Sequence, residues 1–176
     1  MLEEIYIAGH TKPTLPLVLN SVPDLDAIII TNHATEFPAW IAEKVKSYLH
    51  LRFDDINHNP GPPWIPPAQE HIEKALEFAK DKTKIVVACH AGVSRSSAIA
   101  YMIASRVWGT EEALSILKPG THWPNPTLIQ IGQQMFPTER IMPTVIEWCD
   151  KNSIFLLTDD ETPLCDEPPE IEEIQL

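Results

Sequence analysis

The 176-residue chain is short of positive charge, short of cysteine and without any long apolar run. Thirteen Lys and Arg stand against 25 Asp and Glu, a formal charge of −12. Wrapping a nucleic acid duplex or docking on a membrane through a polybasic face needs basic surface to neutralise phosphate, so neither partner is expected. A single local anion site remains compatible with this balance. No eighteen consecutive residues are apolar, and no membrane-spanning helix is expected. The opening Met-Leu-Glu-Glu-Ile is acidic where a secretory signal is basic. The three cysteines, Cys89, Cys149 and Cys165, make no CxxC pair and have no zinc-ligand spacing. They read as free thiols of a reducing compartment, and a cytoplasmic protein is expected.

The positive charge that exists is unevenly placed. From Asp159 onward there are eight acids and no Lys, Arg or His, which leaves residues 1–158 with seventeen acids against 13 bases, a balance of −4. The same tail carries Pro163, Pro168 and Pro169 and no aromatic residue. A segment of that composition cannot bury enough apolar surface to offset its ordering entropy. The expected organisation is one folded domain over 1–158 and an acidic, disordered tail over 159–176. One domain of this size buries enough surface to hold a core without disulfides.

Within the domain, strand and helix patterns alternate. Leu2–Ala8 alternates and ends at Gly9, a short strand, and a short helical turn is expected among Pro13, Pro16 and Pro23. Ala27–Thr31 is a continuous β-branched run suited to a strand buried on both faces. Ile41, Val45 and Leu49 have helical spacing, which predicts a helix over Pro38–Tyr48, followed by a strand over Tyr48–Phe53. Six prolines and glycines within 57–67 make a loop. Ala68–Lys80 is an amphipathic helix, Lys84–Ala88 the clearest strand, and Ser96–Val107 a buried helix. Thr110–Leu117 reads as a helix capped by Thr110, with Glu111 and Glu112 in its first turn. Pro126–Phe136 and Thr138–Lys151 complete the set, the last expected to kink at Pro143. This order predicts an α/β domain with a mostly parallel central sheet flanked by helices.

The chemistry concentrates in Val86-Val87-Ala88-Cys89-His90-Ala91-Gly92-Val93-Ser94-Arg95-Ser96-Ser97-Ala98. A buried strand ends in a loop of small residues and a helix starts at once. Backbone N–H groups of such a loop converge on an anion, aided by the helix N-terminus. Gly92 permits a backbone shape that a Cβ resists. Arg95 offers a planar fork of donors suited to two oxygens of one phosphate. Cys89 stands at the entrance, where a field that attracts an anion also favours a nucleophilic thiolate.

Cys89-His90-Ala91-Gly92-Val93-Ser94-Arg95-Ser96 resembles the Cys-x-x-Gly-x-x-Arg-Ser/Thr phosphate loop of the cysteine-dependent protein tyrosine and dual-specificity phosphatases, and the Ala-Gly-x-Ser-Arg-Ser form is most like the compact dual-specificity branch. The resemblance implies a phosphoprotein phosphatase acting on phosphotyrosine, and on phosphoserine or phosphothreonine as well, through a phosphocysteine intermediate, with no metal or other cofactor. Its substrate partner is a phosphorylated protein or a small phosphate monoester. It implies Cys89 as nucleophile, Arg95 as phosphate clamp, Ser96 as a hydroxyl that steadies the thiolate, and residues His90, Ala91, Gly92, Val93, Ser94 and Arg95 as the phosphate-binding loop. The general acid is an aspartate from a loop upstream. Leu51-Arg52-Phe53-Asp54-Asp55-Ile56 lies there, and Asp55 is chosen. If the strand ran through Phe53, Asp54 and Asp55 would point to opposite faces and only one would meet the cradle.

Trp123-Pro124-Asn125-Pro126 resembles the family's segment that braces the phosphate loop, with Asn125 bonding to backbone; Asn before Pro is also an ordinary helix cap. One position departs from the family. Histidine normally precedes the cysteine and supports the thiolate, whereas this chain has Ala88 there and His90 after it. His90 either lines the pocket or faces solvent. His10, His33, His50, His58, His71 and His122 show no metal-ligand spacing, and Trp64 is either a pocket rim or a loop anchor. The rival readings are a non-catalytic phosphate-binding module of the same fold, a phosphatase for a non-protein monoester, and another thiol enzyme.

Overall fold

The structure is a computed structural model that describes residues 2–154. The predicted tail, 159–176, lies outside the described residues, as does Cys165. Four parallel strands form one sheet in the order β1-β4-β2-β3. They are β1 (Glu4–Gly9), β2 (Asp26–Thr31), β3 (Tyr48–Arg52) and β4 (Lys84–Cys89). The two continuous β-branched runs, Ala27–Thr31 and Lys84–Ala88, occupy the two central positions, where both faces are covered.

Side-chain alternation divides the core in two. Ile28, Ile30, Leu51, Phe53, Val87 and Cys89 face the larger layer. That layer is built from α2 (Gln69–Ala79), α3 (Arg95–Trp108), α5 (Pro126–Met135) and α6 (Ile141–Lys151), with the short α4 (Thr110–Ala113) beside them. Ala27, Ile29, Val86 and Ala88 face the smaller layer, built on α1 (Thr14–Ser21) with Ile41. The α3 helix is buried along most of its length and holds the middle of the larger layer.

Three local expectations are corrected. No α-helix forms over Pro38–Tyr48; only a 3-10 turn at Ala39–Ile41 is present. The chain is drawn off towards the sheet, since the Lys46 amide bonds the Leu25 carbonyl at 2.8 Å and the Ser47 carbonyl accepts from the Ala27 amide at 3.0 Å. Ile41 is buried without needing a helix to place it. Thr110 is the first helical residue and not the cap: Gly109, at φ 94°, ends α3 through its amide to the Ser105 carbonyl and starts α4 through its carbonyl to the Ala113 amide. The α-helix there is only Thr110–Ala113 and passes into a 3-10 turn at Leu114–Ile116. Finally, α6 begins at Ile141, so Pro143 sits in its first turn. Amides of that turn have no intrahelical acceptor, and Pro143 interrupts nothing.

The fold delivers the Cys89 loop by a close backbone contact. Gly9 is paired in register with Cys89. A methyl group on Gly92, at φ +76°, would stand 2.5 Å from the Ala8 carbonyl carbon and the Gly9 nitrogen, and one on Gly9 would stand 2.6 Å from the Ala91 carbonyl. Two glycines are therefore needed where the loop folds back on the end of β1. Gly92→Ala is expected to cost more than about 1 kcal/mol of stability, because alanine is strained at this φ and has no space. Urea denaturation would measure this, together with loss of oxyanion binding; a variant as stable as the wild type would show that the two segments do not touch.

Candidate active site

The strand-to-helix connection Cys89–Arg95 has its carbonyls turned outward. The Cys89 carbonyl accepts from the His10 amide at 2.9 Å, and the His90 carbonyl accepts from both the amide and the hydroxyl of Thr11, at 3.2 and 2.7 Å. On the other side, the Val93 carbonyl accepts from the Trp123 amide at 3.1 Å and the Ser94 carbonyl from the Asn125 amide at 3.2 Å. A trans peptide points its N–H opposite to its C=O. Outward carbonyls at 89, 90, 93 and 94 thus leave the amides of His90, Ala91, Ser94 and Arg95 directed into the loop, the arrangement an oxyanion requires.

Cys89 is buried at the C-terminal end of β4, and its Sγ lies 3.2 Å from the hydroxyl of the fully buried Ser96 in the first turn of α3. The Arg95 guanidinium is also buried. Nη1 donates to Asn32 Oδ1 at 2.7 Å and to the Phe53 carbonyl at 2.8 Å. These bonds fix the plane of the fork and leave the opposite edge open: Nε is buried with no hydrogen-bond partner. That edge is free to take two oxygens of one tetrahedral anion.

Cys89, His90, Ala91, Val93, Ser94 and Arg95 line one open pocket of about 500 Å³. Asn32, Asp54, Asp55, Ile56, His58, Pro60 and Trp64 complete its wall. Arg95 is the only Lys or Arg in this lining. Trp64 rims the pocket and is 47% exposed, so it is no buried anchor; its ring meets His33 edge-on. His90 both lines the pocket and is exposed.

The two acids differ in partners more than in direction. Strand β3 stops at Arg52, and Asp54 and Asp55 both line the pocket, which corrects the expectation that only one would. Asp54 is buried and saturated. Its carboxylate takes His33 Nδ1 at 2.8 and 2.9 Å, the His33 amide at 3.3 Å and the Ile65 amide at 2.8 Å. Burial alone would raise its pKa, but the Ile65 amide and the His33 ring and amide prevail and hold the carboxyl below its ordinary value. Asp54 also donates its amide to the Ile65 carbonyl at 2.7 Å. It closes the base of the proline-rich loop. Asp55 is open to solvent and touches the cradle: it accepts from the Ser94 hydroxyl at 2.7 Å and from Asn125 Nδ2 at 2.8 Å, and stands 3.7 Å from Arg95 Nε.

Asn125 fills both roles read for it, and a third. Its amide binds the loop, its Oδ1 caps α5 by accepting from the Leu128 amide at 3.1 Å, and its Nδ2 holds Asp55. Ala88 is fully buried in the smaller core layer with Leu15, Ile29 and Ile41. A histidine at this position would have to enter a filled core. Cys149 is buried in α6, and burial pushes its thiol up to about 11, which leaves it inert.

Residue reading from sequence missed Asn32 and His33, which follow β2, and Gly9, His10 and Thr11, which end and follow β1. A positional signal was available: in parallel α/β sheets, sites gather beyond the carboxyl ends of the strands.

Comparison with known proteins agrees with this geometry. The family model described as dual specificity phosphatase, catalytic domain, matches residues 5–139. Human DUSP28 superposes with a TM-score of 0.56 at 18% identity, covering 76% of this chain and 92% of that one. PTPMT1 in complex with PI(5)P gives 0.54 at 19%, covering 81% and 94%. The human tyrosine phosphatase-like serine/threonine/tyrosine-interacting protein gives 0.53 at 18%, covering 76% and 91%. No curated protein matches the chain significantly. The structural likenesses carry the fold, and the family match spans most of the chain: it belongs to the dual specificity phosphatase catalytic-domain family, the cysteine-dependent phosphatases.

Proposed function

We propose that the chain hydrolyses phosphotyrosine in proteins, and phosphoserine or phosphothreonine as further substrates, through a phosphocysteine intermediate. The observation that carries this reading is the Arg95 fork, with Nη1 tied to Asn32 and Phe53 and Nε buried without a hydrogen bond, in the pocket that Cys89 also lines. Phosphate oxygens take the loop amides and the free Arg95 edge. Cys89 Sγ attacks phosphorus, the P–O ester bond breaks, and its electron pair goes to the leaving oxygen with a proton from Asp55. Water then attacks phosphorus and loses its proton to Asp55. The S–P bond breaks to return the thiolate, which the Ser96 hydroxyl receives as a hydrogen bond.

Asp55 Oδ2 stands 3.7 Å from Arg95 Nε. An arriving phosphate takes that edge and leaves Asp55, still held by Ser94 and Asn125, facing the leaving group. The pocket favours a monoester with one phosphate, because a single guanidinium and no lysine lines it. Trp64, Ile56 and Pro60 offer an apolar rim to an aromatic ring. Polyphosphoinositides fit this charge balance poorly, and a panel of phosphopeptides, inositol phosphates and nucleotides would decide the substrate class.

Cys89→Ser is expected to abolish turnover of p-nitrophenyl phosphate while tungstate binding survives, since serine keeps the loop shape but is a far weaker nucleophile. Arg95→Lys should lose most activity, because a point charge cannot replace the fork; near-normal kinetics in either variant would contradict the assignment.

Asp55→Asn should lower kcat on alkyl phosphates by about 10²–10⁴-fold, and much less on aryl esters with good leaving groups. Asp54→Asn should act on stability instead. A carboxyl held below its ordinary value stabilises the fold above its unfolded pKa of about 3.9, and that contribution is lost as pH falls through the folded value. Denaturation against pH should therefore show a weaker acid limb in Asp54→Asn. A leaving-group-dependent rate loss there would transfer the acid role to Asp54.

A further inference from the structure

We infer that His10 is a positioning residue of the phosphate loop, an imidazole supplied from the end of β1 to the rear of the Cys89–His90 segment. The inference rests on reading that loop as an oxyanion cradle. Its first support is placement. Tyr6 and Ala8 face the smaller core layer together with Ala88, and His10 follows two residues on, beyond the strand end. Ala88 presents only a methyl group to that layer. The His10 ring lies edge-on to the His90 ring, with centroids 5.7 Å apart and planes at 88°. Its amide holds the Cys89 carbonyl at 2.9 Å, and its neighbour Thr11 holds the His90 carbonyl. Backbone and ring thus grip the same two residues, whose outward carbonyls aim the loop amides inward.

The second support is an unpaired atom. Among the described residues, two buried side-chain polar atoms lack a hydrogen-bond partner: Arg95 Nε and His10 Nε2. Both lie at this end of the sheet. A bare buried nitrogen is unfavourable, and an apolar ring would fill the same space without that cost.

The groups around the ring set the form in which it works. Burial lowers the His10 pKa below its ordinary value; the Ile30 carbonyl opposes this, while His90, Arg95 and His50 add to the lowering. The balance favours the uncharged ring. A proton on it would set a buried cation beside Arg95, so the stabilising neutral state is lost as pH falls below the unfolded value of about 6.5 towards the folded one.

The test uses the full chain, tungstate as the oxyanion and p-nitrophenyl phosphate as substrate. His10→Phe keeps a planar ring without nitrogen. It is expected to fold, to bind tungstate at least about fivefold more weakly at pH 7, and to lack the step in the pH dependence of tungstate affinity that His10 is expected to give the wild type below about pH 6.5. A folded His10→Phe with wild-type affinity and an unchanged pH profile would overturn the inference. Should that variant fail to fold, the wild type decides: its His10 imidazole resonances must shift when tungstate saturates the site, and unmoved resonances would overturn it. A wild type that neither binds tungstate nor turns over substrate would remove the cradle itself, a result distinct from a failed His10 contrast.

Discussion

A planar trans peptide cannot turn its carbonyl outward without turning its N–H inward. In this protein that constraint organises the whole carboxyl end of the sheet. The loop after β4 has amides available for an anion because two neighbouring segments bind its carbonyls. His10 and Thr11 hold the first half, and Trp123 and Asn125 hold the second. Each segment supplies backbone donors at a fixed distance, and Thr11 adds its hydroxyl. The Gly9–Gly92 contact makes the first grip possible, since a Cβ on either would push the loop off β1.

The same economy governs the side chains. Arg95 is useful because part of it is already occupied: Asn32 and the Phe53 carbonyl take Nη1, which orients the plane before any substrate arrives. Preorganised donors of this kind need no rearrangement as charge develops. Asp54 and Asp55 divide labour by environment. The buried one spends its carboxylate on His33 and Ile65 to close a loop, and the open one keeps contact with Ser94 and Asn125. Asn125 joins three parts of the site, namely the Cys89–Arg95 loop, the loop that carries Asp55 and the start of α5.

The chain's acidity bears on the site as well. With one guanidinium and two carboxylates in the pocket wall, local positive potential comes from backbone amides and a helix N-terminus more than from basic side chains. A cradle of that kind concentrates its attraction on one phosphate at short range.

How much of this was legible in the sequence depended on whether the cause was local. Strands β2 and β4 were readable because their β-branched runs suit only fully covered positions, and the Cys89–Ser96 loop because strand, small residues, arginine and helix start are contiguous. The family followed from the same eight residues, and residues 5–139 match it. Asp54 and Asp55 could both be placed on the loop after β3, but only their tertiary partners, His33 and Ile65 for one and Ser94 and Asn125 for the other, tell them apart. The helix expected over Pro38–Tyr48 failed for the same reason: its apolar spacing was real, yet Leu25 and Ala27 captured its backbone groups. Short-range pattern by itself determined the sheet's centre and the contiguous loop that carries Cys89 and Arg95. Tertiary structure alone decided what surrounds them, because the His10 and Thr11 grips and the Asn32–Arg95 bond arise where parallel strands far apart in sequence end side by side, and the Trp123 and Asn125 grips where the segment before α5 meets them.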